Sequence, residues 1–193
     1  MSVPVVIITG ERGAGKTTLA AAVVERLRES GVRVGGILAP GLYRDGRRHS
    51  FEVVALATGE RRPLSARDPE PGWIEEQCFW VDPAGYALGN TALADGDADV
   101  VVVDEVGPWE LAGSGWAARL EALVAGDVPL LLVVRGKCLF DVVTRWQLEP
   151  TAIVDVAEGR PEAIATLLVP ARAAARPRRQ RSSGASGSRP SRK

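Results

Sequence analysis

The chain has few of the residues that build disulfide scaffolds and metal clusters. Among its 193 residues there are two cysteines, Cys78 and Cys138, and one histidine, His49. Two thiols 60 residues apart, without a local spacing motif, are typical neither of a disulfide framework nor of a zinc site. A single histidine gives no support for a cluster of histidine ligands or for a Ser-His-Asp triad.

The sequence also lacks a long apolar run. No segment approaches the roughly 18–20 consecutive apolar residues that a membrane-spanning helix needs. The first apolar run, residues 3–8, has no basic residue before it and leads directly into a glycine-rich loop, unlike a secretory signal peptide. We therefore expect a cytoplasmic protein without a membrane partner.

Acidic residues are absent after Glu162. The last 22 residues, 172–193, contain eight basic residues, which leaves 16 basic and 24 acidic residues in the rest, a net charge of about −8. Because this segment consists mainly of Ser, Gly, Pro and Arg, we predict a disordered tail at 172–193 behind a domain at 1–171. We favour a solvated tail, and the alternative is an arm that binds nucleic acid or another acidic partner.

Short β-branched apolar runs alternate with helical patterns along the chain. Such runs are typical of strands buried on both faces of a parallel sheet. The patterns predict strands at 3–9, 32–38, 79–81, 98–103, 128–134 and 151–156, and helices at 17–30, 86–94, 115–123, 139–146 and 161–175. This alternation predicts an α/β fold with a doubly wound, mostly parallel sheet between two helical layers.

A hairpin is predicted within this α/β pattern. The pair Asp45-Gly46 lies between two strand-like runs and suits a tight turn with positive φ at both central residues. We therefore expect strands 37–44 and 47–56 to pair antiparallel, followed by a turn at 58–60 and a strand at 61–64. The segment 65–78 is rich in Pro, Gly and charge, and we predict a long loop there.

The stretch GERGAGKTT at 10–18 satisfies the phosphate-loop pattern G-x-x-x-x-G-K-[ST]. Its glycines let backbone N–H groups converge on phosphate oxygens, and the helix that follows directs its positive end to the same place. The stretch follows an apolar strand and opens an amphipathic helix, as a P-loop must. We predict that it binds a nucleotide through Gly10, Glu11, Arg12, Gly13, Ala14, Gly15, Lys16, Thr17 and Thr18.

Lys16 and three further residues are the candidates for chemistry. Lys16 would place its charge between the β- and γ-phosphates, and the Thr17 hydroxyl is suited to bind Mg²⁺. A P-loop also needs a carboxylate at the end of a neighbouring buried strand, and Asp104 follows the run VVVV. Glu105 comes next and could orient or deprotonate a water for attack on the γ-phosphate. The alternative role for Glu105 is that of a structural salt-bridge partner.

An arginine could neutralise charge on the transition state, an effect worth roughly 10³–10⁵ in rate. The candidates are Arg12 in the P-loop, Arg135 after the strand at 128–134, and Arg160. For each of them a solvated surface role is the alternative. The base is harder to predict, because the Asn-Lys-x-Asp motif of guanine-specific proteins is absent and the only asparagine, Asn90, is followed by Thr91.

The stretch DEVGPWEL at 104–111 resembles the Asp-Glu-Ile-Gly-x-Met-Glu-Leu signature of the THEP1-type nucleoside-triphosphatases. The order of P-loop, hairpin, this signature and a last strand and helix matches that family from Val3 to about Val169. The resemblance implies a P-loop protein that hydrolyses nucleoside triphosphates to diphosphates with broad base tolerance. It also implies that residues 10–17 and Asp104 bind phosphate and Mg²⁺ and that Glu105 positions water.

Three positions depart from the family pattern, and one of them is Arg12, which lies in the P-loop where a proline is common. Trp109 stands where the family usually has Met, and Glu158-Gly159-Arg160 stands where Glu-Asn-Arg is frequent.

Two other functions remain open from the residues alone. One is a P-loop kinase for a small metabolite, with the 65–78 segment as a lid. The other is a nucleotide-dependent adaptor, like the P-loop proteins of molybdenum-cofactor assembly.

Overall fold

The computed structural model describes residues 3–68, 70–76 and 79–169. The predicted tail at 172–193 and Cys78 lie outside these residues. The described part forms one ten-stranded sheet with helices on both faces. No helix in it is long and apolar enough to cross a bilayer.

The strands fall into a parallel and an antiparallel part. The parallel part has the order β10-β1-β9-β8-β2, and the antiparallel part continues from β2 as β4-β5-β7-β6, with β3 paired to β4. The strands are β1 (Val5–Thr9), β2 (Val34–Leu38), β3 (Gly41–Arg44), β4 (Arg47–Ala55), β5 (Arg61–Ala66), β6 (Ile74–Glu76), β7 (Phe79–Val81), β8 (Val100–Val106), β9 (Leu130–Val134) and β10 (Ala152–Asp155).

Helices cover both faces of this sheet. They are α1 (Lys16–Glu29), α2 (Pro83–Leu93), α3 (Pro108–Leu111), α4 (Ala117–Val124), α5 (Leu139–Arg145) and α6 (Pro161–Leu168). Side chains of β1 alternate between two cores, because successive strand residues point to opposite faces. Val6 and Ile8 pack with α1 and α6, whereas Ile7 belongs to the core under α2, α4 and α5. The predicted doubly wound α/β fold is confirmed.

The antiparallel part is larger than the single hairpin that the sequence predicts. Asp45-Gly46 does form the turn between β3 and β4. The predicted first strand at 37–44 is interrupted, however, because the Ala39 N–H is donated to Asp104 instead of to a neighbouring strand. The predicted loop at 65–78 was wrong in part, since β5 extends to Ala66 and the short edge strand β6 forms at Ile74–Glu76.

Two helices also differ from the sequence prediction. The helix predicted at 161–175 ends at Leu168, and Val169 is extended. Pro170 explains this end, because proline disfavours a helical conformation in the residue before it. Residues 170–175 lie outside the described part. The one-turn helix α3 was not predicted, because four residues carry too little periodicity to be recognised.

Candidate nucleotide-binding and catalytic site

The predicted P-loop connects β1 to α1. Gly10, Gly13 and Gly15 have φ angles of 141°, 82° and 96°, a region that side-chain-bearing residues rarely adopt. At Gly10 a Cβ would also lie 2.7 Å from Val156 Cγ1. The glycines are therefore required by the backbone path of the loop. This path leaves the loop's N–H groups and the N-terminus of α1 together at the carboxyl end of β1.

Lys16 is buried against this loop. Its Nζ donates hydrogen bonds to the carbonyl oxygens of Gly10 at 3.0 Å and Glu11 at 2.7 Å. Burial lowers the pKa of the Lys16 ammonium, and the nearby carboxylates of Glu105 and Asp104 act in the opposite direction. A cation held by two neutral carbonyls is poorly compensated, so phosphate oxygens would be stronger partners for it.

Asp104 is fully buried at the end of β8. Its Oδ2 accepts the N–H of Ala39 at 2.9 Å, its Oδ1 accepts the N–H of Glu105 at 2.8 Å, and the Thr17 side chain also bonds to this carboxylate. Burial raises the pKa of Asp104 to about 6, and the Glu105 charge contributes in the same direction. The structure thus brings Thr17 and Asp104 together, as predicted.

One part of that prediction was wrong. Asp104 was expected on a strand next to β1, but β9 lies between β1 and β8. Thr17 still reaches Asp104, because α1 starts above the carboxyl ends of these strands. The sequence contains no indication of strand order, since both VVVV and LLLVV read as buried strands.

Glu105 has a strained backbone. Its φ of 60° is left-handed, which costs a non-glycine residue on the order of 1–3 kcal/mol. The strain accompanies a bulge, because Val103 pairs with Leu132 while Val106 pairs with Val134, which leaves one extra residue in β8. Bulges beside active sites redirect side chains. Here the bulge changes the usual alternation at Asp104 and Glu105, and both carboxylates serve the same end of the sheet.

The Glu105 side chain is held by two arginines. Its Oε2 accepts hydrogen bonds from Arg135 Nε at 3.2 Å and Nη2 at 3.0 Å, and its Oε1 lies 3.8 Å from Arg48 Nη1. The ion-pair role that the sequence left open for Glu105 is therefore present. The arginines thus engage both carboxylate oxygens of Glu105, and another anion bound to the arginines would release these oxygens for contact with a water molecule.

Arg48 is the functional candidate that sequence reasoning missed. It lies in β4, where Leu42 pairs with Ser50 but Tyr43 pairs with Arg48, so that His49 is an extra residue. Arg48 Nη2 donates to the Tyr43 hydroxyl at 3.0 Å, and its guanidinium lies over the rings of Tyr43 and Phe51, at 5.5 and 5.1 Å. Its Nε is buried without a hydrogen-bond partner among the described residues.

Gly41 supports this arrangement, since a Cβ there would lie 2.6 Å from Arg48 Nε. No sequence motif marks Arg48. The Asp45-Gly46 turn predicts a hairpin, but only the tertiary fold places that hairpin over the P-loop.

The phosphate cleft is the cavity that these residues enclose. It has a volume of about 190 Å³ and combines the P-loop with the hairpin and Glu105. Its lining residues are Arg12, Gly13, Gly15, Lys16, Thr17, Thr18, Pro40, Gly41, Tyr43, Arg48, Glu105 and Arg135. Of the three arginines predicted from sequence, Arg12 and Arg135 line the cleft. Arg160 does not, because it is the exposed residue before α6.

A smaller aromatic cavity lies on the other side of Glu105. It has a volume of about 90 Å³ and shares Glu105 and Arg135 with the phosphate cleft. Five aromatic side chains line it, namely Phe51, Phe79, Tyr86, Trp109 and Trp116. Trp109, which replaces the Met usual in the resembling family, packs edge to face on Phe79 with ring centroids 6.4 Å apart.

Glu110 closes the bottom of the aromatic cavity. It is only 2% exposed, and its carboxylate accepts the N–H groups of Gly107 at 2.8 Å and Trp116 at 3.1 Å. It thereby fixes the backbone on both sides of α3, directly after Glu105. Burial raises the pKa of Glu110 to about 7, although the two hydrogen bonds oppose the shift.

This raised pKa predicts a pH-dependent stability. The folded state holds a proton on Glu110 more tightly than the unfolded state, whose pKa is near 4.5. The protonated Glu110 therefore contributes fully to the free energy of unfolding below about pH 4.5, and this contribution is lost as the pH rises to about 7. We expect the free energy of unfolding of the wild type, minus that of Glu110→Gln, to fall between pH 5 and pH 8. Urea unfolding at several pH values measures it, and a constant difference would contradict the raised pKa.

Comparison with known proteins agrees with this site. A family model described as NTPase matches residues 5–166. The chain belongs to this NTPase family. The match begins at β1 and ends within α6, so it includes the P-loop and the Asp104-Glu105 pair. The resemblance to the THEP1-type nucleoside-triphosphatases is confirmed, and the chain is an enzyme of that family.

Individual members of the NTPase family align over most of their length. The nucleoside-triphosphatase THEP1 of Methanopyrus kandleri is 33% identical over 159 residues, which cover 82% of this chain and 83% of that protein. The THEP1 protein of Ignicoccus hospitalis is 35% identical over 130 residues, 67% of this chain and 74% of its own. The solution structure of a human cancer-related nucleoside triphosphatase has the same fold, with a TM-score of 0.61 and 24% identity. The match covers 85% of this chain and 94% of the human one.

Proposed function

We propose that this NTPase-family enzyme hydrolyses the bond between the β- and γ-phosphates of nucleoside triphosphates in a Mg²⁺-dependent reaction. The observation that carries the proposal is the phosphate cleft, which is lined by Lys16, Thr17 and Glu105, with the buried Asp104 bonded to Thr17. The products are the nucleoside diphosphate and phosphate.

The buried free thiol of Cys138 and the need for cellular nucleotides support a cytoplasmic location.

The oxygen donors at Thr17 and Asp104 fit Mg²⁺. Hard cations of this size prefer carboxylate, hydroxyl and phosphate oxygens, and Mg²⁺ is usually held by one or two carboxylates together with substrate phosphates. In the described part of the chain no three His, Cys, Asp or Glu residues converge on a metal position. The Thr17 hydroxyl and the Asp104 carboxylate would hold the ion with the phosphates. When bound, Mg²⁺ supplies positive charge that neutralises the phosphate oxygens.

The residues of the chain then have separate tasks. Lys16 exchanges its two carbonyl partners for phosphate oxygens. Glu105 accepts a proton from a water molecule, the water oxygen bonds to the γ-phosphorus, and the bond from that phosphorus to the bridging oxygen breaks. The departing nucleoside diphosphate carries the bridging oxygen and its electron pair. A low-dielectric cleft strengthens each of these interactions.

Two arginines would support the developing charge. Of the residues named from sequence, Arg135 is retained as a candidate, and Arg48 joins it. The γ-phosphate attracts both guanidinium groups, and their withdrawal from Glu105 leaves its carboxylate free to act on water. Substrate binding and base activation are thereby coupled. Arg12 remains a candidate at the exposed rim of the cleft.

Water is favoured over a ring-shaped acceptor as the nucleophile. The aromatic cavity beside Glu105 measures about 90 Å³. That is less than the ~150 Å³ of a cavity that holds benzene, but it is ample for water. This argument disfavours the alternative of a kinase for an aromatic metabolite. Broad base tolerance is supported by the lack of an Asn-Lys-x-Asp motif and by relatives named nucleoside-triphosphatases without a stated base.

The proposal is tested by phosphate release from ATP, GTP, CTP and UTP with and without Mg²⁺. We expect release from all four, dependence on the metal, and at least about tenfold weaker ATP binding in Lys16→Ala because a charge-assisted contact is lost. Lys137→Ala is the matched control, since Lys137 is exposed and lies outside the cleft. Wild-type protein that binds ATP but releases no phosphate would refute the proposed hydrolysis and favour the adaptor.

A further inference from the structure

Most arginines of the described surface have a carboxylate partner, but four that lie together do not. Ion pairs hold Arg26, Arg28, Arg33, Arg48, Arg61, Arg62, Arg135 and Arg145. Within residues 3–68, 70–76 and 79–169, no carboxylate oxygen lies within 4.0 Å of Arg12, Arg44, Arg47 or Arg67. All four are exposed.

These four residues surround one open cavity together with Arg48. We call this group, Arg12, Arg44, Arg47, Arg48 and Arg67, the arginine basin. The cavity has a volume of about 810 Å³. Its lining contains one carboxylate, Asp45, and one histidine, His49, whose Nε2 lies 2.9 Å from Asp68 Oδ2. Five guanidinium groups thus face a single acidic residue in the lining.

This concentration of charge is local. Outside the basic segment 172–193 the chain has 16 basic and 24 acidic residues. Unpaired like charges held close together repel one another and destabilise a fold unless an anion is bound between them. Because the rest of the chain is acidic and most of its described arginines have a carboxylate partner, the basin has the character of an anion-binding site.

The arginine basin is continuous with the phosphate cleft. Arg12, Gly13, Tyr43 and Arg48 line both cavities. The cleft of about 190 Å³ holds the P-loop, and the basin opens from it at the two arginines. A phosphate chain that starts in the P-loop can therefore continue into the basin past Arg12 and Arg48.

We propose that the arginine basin binds phosphate groups beyond the γ position, so that the protein takes phosphate chains longer than a triphosphate. One guanidinium group can bind two phosphate oxygens at once through two parallel hydrogen bonds, and it remains charged at all physiological pH values. Nucleic-acid strands usually need successive aromatic platforms as well, and the basin offers one exposed ring, Tyr43, already covered by Arg48. The inference rests on the proposed function only for the placement of the first three phosphates in the P-loop.

The test compares the binding of adenosine 5′-tetraphosphate and ATP to Glu105→Gln, a background chosen so that the ligands stay intact. We expect the tetraphosphate to bind at least about tenfold more tightly than ATP, since one further phosphate gains charge-assisted contacts. In a background that also carries Arg44→Ala and Arg47→Ala this preference should disappear, with ATP affinity changed by less than about twofold. Arg61→Ala with Arg62→Ala is the matched control, because both arginines are exposed, paired with carboxylates and outside the basin.

Three results would overturn the inference. The first is equal affinity for tetraphosphate and ATP in the Glu105→Gln protein. The second is an equal loss of ADP, ATP and tetraphosphate binding in the double arginine variant, which would mean general electrostatic attraction. The third is displacement of the tetraphosphate by a single-stranded oligonucleotide that lacks a terminal triphosphate. Binding is measured without turnover, so a wild type that fails to hydrolyse ATP would refute the proposed function and leave this result intact.

Discussion

Replacement of Glu105 by glutamine is expected to lower kcat for ATP by about 10²–10⁴, the usual contribution of a general base. Glutamine keeps the shape of the side chain but cannot accept the proton of the attacking water. Nucleotide binding should persist, because the P-loop, Thr17 and Asp104 are unchanged. Single-turnover phosphate release together with equilibrium binding of ATP separates the two effects.

The structure offers a matched control for this variant. Glu121→Gln removes the charge of an exposed glutamate on α4, which lies 3.6 Å from Arg145 and does not line the cleft. We expect its turnover to equal that of the wild type. If Glu105→Gln also keeps turnover within about threefold, Glu105 serves only as the ion-pair partner of Arg135, and another group must activate water.

Replacement of Arg48 by alanine is expected to lower kcat by at least about 10². Arginines that stabilise phosphoryl-transfer transition states contribute about 10³–10⁵ to the rate. Arg48 lies 3.8 Å from Glu105 and lines the phosphate cleft, so its loss would remove both a charge beside the proposed γ-phosphate position and a partner of the proposed base. ATP affinity should fall more than ADP affinity, because only ATP carries the γ-phosphate. Steady-state kinetics and binding of the two nucleotides measure these effects.

Two variants distinguish a direct role of Arg48 from damage to the hairpin. Arg47→Ala changes an exposed neighbour on the same strand and should leave ATP turnover unchanged. Gly41→Ala should reproduce part of the loss, because the added Cβ would lie 2.6 Å from Arg48 Nε. Normal turnover in Arg48→Ala, or equal weakening of ATP and ADP binding, would contradict contact with the γ-phosphate.

The parts of the site that the sequence predicts are local in the chain. Gly10 to Thr18 are recognisable because their spacing matches the phosphate-loop pattern and the start of α1, whatever surrounds them. Asp104 and Glu105 are recognisable because they end a run of four valines. The Asp45-Gly46 turn is equally local, since two residues with positive φ define it. Each of these features needs only a few consecutive residues.

The missed parts depend on contacts between distant segments. Arg48 belongs to the cleft only because β4 pairs with β2, and β2 with β8, which ends at the bulge carrying Glu105. Arg160 was a candidate by its position in a family motif, yet the fold leaves it outside the cleft. The position of β9 between β1 and β8 could not be predicted either, because apolar runs carry no information about strand order.

The junction between the two parts of the sheet has an evolutionary consequence. Two residue pairs, Ile37 with Ala55 and Leu38 with Val54, join the antiparallel strands to the parallel ones. The groups that would hold the nucleotide lie on the parallel side, whereas Arg48 and most of the arginine basin lie on the antiparallel side. Natural selection can therefore change the speed of the reaction, or the length of the phosphate chain that is accepted, by substitutions in one hairpin. Such substitutions would leave the P-loop, Thr17 and Asp104 in place.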